Sequence, residues 1–71
     1  MDRATAERVE RLGRDANAAL NEALVIAQET CSTEEFVKLR TVVGRIMGSV
    51  VIDVLQPLYA EYPEIIPPEL R

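Results

Sequence analysis

The chain has 71 residues, a net charge of −4, one cysteine and no histidine. It is too short for more than one domain, cannot close an internal disulfide, and lacks the commonest metal ligand. A hydrophobic share of 48% with only Phe36, Tyr59 and Tyr62 as aromatics predicts an aliphatic core and excludes disorder.

The first predicted element is an amphipathic helix over about residues 3–29. Val9, Leu12, Ala16, Ala19, Ala23 and Ile26 recur at helical spacing, and Leu20, Leu24 and Ala27 widen the stripe. Arg3, Glu7, Glu10, Arg11, Arg14, Asn21 and Gln28 fall on the other side. Glu7–Arg11 and Glu10–Arg14 have the spacing of ion pairs along a helix. These pairs make a solvated face the better reading of Glu7 and Glu10 than a carboxylate metal site. Arg3, Arg8, Arg11 and Arg14 form the only basic cluster. Asp2, Glu7, Glu10 and Asp15 are interleaved with them, so no nucleic-acid partner is expected.

The break falls at "ETCSTEEF". Ser32 and Glu35 have capping-box spacing, with Cys31 and Phe36 placed as a hydrophobic staple. Cys31 stands before a helix N-terminus, where a thiolate can be stabilised. The nearby Glu29, Glu34 and Glu35 oppose that charge, so Cys31 reads as a small packed residue. A link this short predicts an antiparallel hairpin.

A second helix is predicted over about 33–56, with a kink or stop at Pro57 and a short helical extension to about residue 62. Its apolar arc is broad, about half the circumference at ~100° per residue. Gly44 and Gly48 lie inside it, although glycine costs a helix interior roughly 0.8–1 kcal/mol against alanine. Pairing the helices about the link sets Ala19 opposite Gly44 and Ala16 opposite Met47 and Gly48. Close backbone packing of Ala16, Ala19 and Ala23 on Gly44 and Gly48 is the expectation; a kink at Gly48-Ser49 is the alternative. Residues 63–71, "PEIIPPELR", predict an extended, proline-rich tail that can lie on the body.

One helix cannot cover so broad an arc. Leu39, Val43, Ile46, Val50 and Val54 are therefore the expected oligomer interface, closing two hairpins into a homodimeric four-helix bundle. An amphipathic helix of another protein is the alternative occupant. Asp53, at the edge of the arc, is either a solvated boundary residue or a pair for Arg40 or Arg45 of a partner chain. Arg45, Asp53 and Gln56 interrupt the longest apolar run, so no membrane partner is expected and the cytoplasm is the default location. No nucleophile motif or phosphate loop occurs, and no cofactor is implied. The sequence thus predicts an all-α, non-enzymatic interaction or scaffold module, with a regulatory nucleic-acid-binding dimer as the disfavoured alternative.

Overall fold

A computed structural model describes all 71 residues. The chain is helical throughout, with no strand. Helix α1 (Arg3–Thr30) and helix α2 (Thr33–Ser49) run antiparallel. A widened turn (Val50–Leu55) leads without a break into α3 (Gln56–Glu61). The molecule is a rod, 45 × 21 × 17 Å.

The helix starts follow from side-chain caps. Asp2 Oδ1 accepts from the Thr5 N–H at 2.8 Å. At the link, the Glu35 N–H donates to Ser32 Oγ and the Ser32 N–H donates to Glu35 Oε1, each at 3.2 Å. The predicted capping box is therefore present in both directions. Cys31, expected as a small packed residue, is instead exposed, and Phe36 is half-buried under the Arg40 guanidinium, 5.7 Å from the ring centre. The Glu10–Arg14 pair forms at 2.7 Å, but Glu7 pairs back to Arg3 at 3.1 Å.

The seam between the helices differs from the predicted one by about one residue of rotation. On α1 the seam runs through Ala6, Glu10, Gly13, Asn17, Leu20, Leu24 and Ala27, with Val9 and Arg14 half-buried at its edges. Ala16, Ala19 and Ala23 stand outside it, exposed. Gly44 and Gly48 likewise do not meet α1: a Cβ built on either would touch nothing within 4 Å. The close approach of backbone to side chain is at Gly13 instead. A Cβ there would lie 2.9 Å from Leu55 Cδ2 and 3.9 Å from Val50 Cγ1.

On the second helix the inward series is Phe36, Val43, Met47, Val50, Leu55, Leu58 and Tyr62. The step from Val50 to Leu55 is one residue longer than a regular helix allows. The widened turn absorbs it: the Gln56 N–H donates to the carbonyl of Val51, skipping Ile52. Pro57, next in line, has no N–H and would crowd the Asp53 carbonyl in a regular helix. The widened turn just before it relieves that contact, so the helix does not stop at Pro57 but runs on to Glu61, close to the expected end of the extension. Across the seam, Asn17 Nδ2 donates to the Met47 carbonyl at 3.2 Å, at the entrance to this turn.

The tail is not extended. Pro63–Ile65 and Pro68–Leu70 form tight helical turns. Arg71 ties them by donating to the Ile66 and Glu64 carbonyls at 3.0 and 3.2 Å. Ile65 and Pro67 are buried, Ile65 in a cluster with Ala6 and Leu58 edged by Val9, Tyr59 and Tyr62. The Tyr62 hydroxyl donates to the Met1 carbonyl. The tail thus docks on the start of α1 and supplies core that a bare hairpin would lack there.

Candidate functional site

Only 8 of 71 residues are buried, so most of the apolar surface of the second helix is uncovered. Of the five expected interface residues, Leu39, Ile46 and Val54 are exposed, at 39%, 49% and 39%. Val50 is half-buried against the Gly13 position. Val43 is a correction: it is buried in the seam and unavailable to a partner. Val42 joins the exposed set.

These residues share one side of the hairpin with the displaced stripe of α1. Leu12, Ala16, Ala19, Ala23 and Ile26 sit about a quarter turn before the α1 seam positions, and Leu39, Val42 and Ile46 sit about a quarter turn before those of α2. In an antiparallel pair, equal offsets in the same sense bring both stripes to the same side. A shallow groove of about 300 Å³ confirms the convergence at one end. Val9 of α1 and Val54, Pro57 and Leu58 of the second helix line it, with Met1, Asp53 and Glu61. Its only titratable side chains are the two carboxylates. The face is therefore apolar and continuous, floored by small residues on α1 and larger ones on α2.

The opposite side carries Asn21 and Gln28 of α1 with Gly44 and Gly48 of α2. Nothing in the structure explains these two glycines. With open space at both, Gly44→Ala and Gly48→Ala are each expected to stabilise the fold by about 1 kcal/mol, read as a rise in the urea midpoint. A fall at either position would show that something packs there.

A second cluster lies at the same end of the seam as the groove, away from the link. Glu10, 3% exposed, accepts from the Tyr59 hydroxyl at 2.6 Å. Arg14 Nε lies 2.7 Å from the same carboxylate, off the line of its N–H, so charge rather than an aligned hydrogen bond holds it. Arg14 Nη1 reaches Glu69 of the tail at 3.5 Å. Glu10 was expected on a solvated face. It is buried because its long side chain turns into the seam, where Tyr59 offers a donor. Burial first, then the bond to Glu10, pushes the Tyr59 phenol up to about 12 from 10.0. The folded state therefore favours the protonated phenol. The resulting stability is complete below pH 10 and is lost as pH rises toward 12. Glu10→Gln is expected to lower the midpoint of the Tyr59 tyrosinate absorbance; an unchanged midpoint would dissociate Tyr59 from Glu10. The cluster joins α1, α3 and the tail, and its chemistry is that of a latch.

No three His, Cys, Asp or Glu side chains lie close enough together to share a metal ion. Asp2 and Glu35 are held below the usual carboxylate range by their capping bonds, to Thr5 and Ser32 respectively. By length and composition the continuous helix Thr33–Glu61 could cross a membrane. Comparisons with family models, with curated proteins and with solved structures gave no match. The functional reading therefore rests on the geometry of the exposed face.

Proposed function

We propose that the chain is a small non-enzymatic interaction or scaffold module that self-associates through the Leu39, Val42, Ile46 and Val54 side of the hairpin, as a homodimeric four-helix bundle in the cytoplasm. The observation that carries this reading is the alignment of exposed apolar stripes from both helices on one side. Burying one such side chain fully is worth about 1.5–3 kcal/mol, so leaving several in water opposes the lone hairpin. An amphipathic helix of another protein could lie on the same face. Nucleic acid is the weaker partner: two of the four arginines of α1, Arg3 and Arg14, are already paired with Glu7 and Glu10.

The length of Thr33–Glu61 favours one second reading, a membrane-spanning helix. Arg45 and Asp53 weigh against it, each costing about 2.5–3.5 kcal/mol near a bilayer centre. The test is the mass in solution by light scattering over a dilution series, without detergent. The wild type is expected at twice the chain mass of 7.9 kDa. Ile46→Glu, at a position exposed in the single chain, is expected at the monomer mass with its helical circular dichroism intact. A wild type that stays monomeric throughout would overturn the proposal; one that dissolves only in detergent would favour the membrane.

A further inference from the structure

We infer that the partner on this face is a second copy turned about an axis parallel to the helices, so that α1 of each copy lies along α2 of the other. The inference rests on the self-association proposed above and fixes its geometry. Two observations carry it, one of charge and one of side-chain size.

The charges lie along the outer edges of the face. On α1 the outer edge carries Arg8, Asp15, Glu22 and Glu29 at heptad spacing. On α2 it carries Lys38 and Arg45, and Asp53 continues it beside the groove. All seven side chains are exposed. Six of them make no ion pair within the chain, and Lys38 has only an exposed 3.4 Å contact with Glu34. Such a surface contact is weak enough to be exchanged.

A two-fold axis lying in the contact plane can run along the helices or across them. An axis across the helices sets each helix on its own copy. Asp15 and Glu22 would then face the same acids, Lys38 and Arg45 the same bases, and the alanine stripe another alanine stripe. An axis along the helices keeps every residue at its own level and sets α1 beside the partner's α2. Levels are fixed inside the hairpin by contacts between Asn17 and Met47 and between Gly13 and Val50. On that scale Arg8 lies within about one turn, ~5 Å, of the partner's Asp53. Asp15 has the same relation to the partner's Arg45, and Glu22 to the partner's Lys38. Each of the three contacts joins opposite charges, and symmetry repeats it. Glu29, next to the link, lies about one turn, ~5 Å, to the other side of the same Lys38.

The size pattern agrees. Ala16, Ala19 and Ala23 come to the levels of the partner's Ile46, Val42 and Leu39, so small residues receive large ones. Leu12 meets the level of the partner's Val50 and Val54.

Two charge-reversed chains test the geometry. One carries Lys38→Glu and Arg45→Glu; the other carries Asp15→Arg and Glu22→Arg. Because these edges lie on the far sides of a single hairpin, the one contact within a chain that either change removes is the exposed Lys38–Glu34 pair, which is worth little. Each variant alone is expected to dimerise roughly tenfold or more weakly than wild type, since like charges replace opposite ones at four symmetric contacts. An equimolar mixture is expected to recover the dimer as a heterodimer, resolved by native mass spectrometry. If the wild type is dimeric but the mixture gives no excess of heterodimer over the statistical share, this geometry is wrong while self-association stands. If the wild type is monomeric, both proposals fall.

Discussion

Leu55→Ala is expected to destabilise the fold by about 3 kcal/mol, within the usual range for truncating a buried leucine. Leu55 is 5% exposed and sits where the widened turn presses the second helix on Gly13. Removing its branch leaves a space that the rigid α1 backbone cannot collapse into. In a domain of this size each kcal/mol moves the melting temperature by about 4–8 °C, so the midpoint is expected to fall by more than about 10 °C. Gly13→Val is expected to cost about 2 kcal/mol for the opposite reason, because its Cβ would begin 2.9 Å from Leu55 Cδ2. The two changes together are expected to cost less than their sum, since the valine fills the space that the leucine leaves. Chemical denaturation of the four proteins of this cycle gives the coupling. Strict additivity would mean that Gly13 and Leu55 do not touch.

Glu10→Ala is the second large effect, at about 3 kcal/mol. It leaves the Tyr59 hydroxyl without its acceptor and removes the buried anion that draws Arg14 inward. Half-exposed Arg14 can turn to water, which keeps the loss below that of a fully buried pair. Tyr59→Phe alone is expected to cost about 1 kcal/mol, the worth of one hydrogen bond. Glu10→Leu with Tyr59→Phe is expected to regain most of the loss, because both partners then become apolar together. The tail supplies a second readout. Arg14 also reaches Glu69, so carboxypeptidase is expected to trim residues 63–71 faster in Glu10→Ala than in the wild type. Equal trimming would mean that Ile65 and Pro67 hold the tail unaided.

Much of the architecture was legible because it is written locally. Ser32 and Glu35 mark a helix start within a few residues of chain, and the structure shows both capping bonds. The phase of α1 was not legible, for a physical reason. Its seam contains Glu10, Gly13 and Asn17, none of which a search for apolar periodicity counts. The stripe that does score, from Val9 to Ile26, belongs largely to the exposed face. Glu10 and Tyr59 are distant in sequence, and no local signal links them. Pro57 announced a disturbance, but its outcome was open. A proline can stop a helix, bend it or, as here, follow a turn that makes room for it. The apolar pattern could not choose among these, because Val54, at regular spacing from Val50, fits an unwidened helix as well as Leu55 fits the widened one.

The widened turn also changes what kind of mutation the second helix can survive. In an ordinary helix, gaining or losing one residue swings everything beyond it through about 100° and tears the seam. Between Val50 and Leu55 the chain already holds one residue more than the seam requires. This segment is an expansion joint: the loss of one residue here would return it to a regular helix, whereas a loss in either flank would turn the seam. The upstream end is set by its contacts with the middle of α1, and the downstream end by the tail and the Glu10 latch.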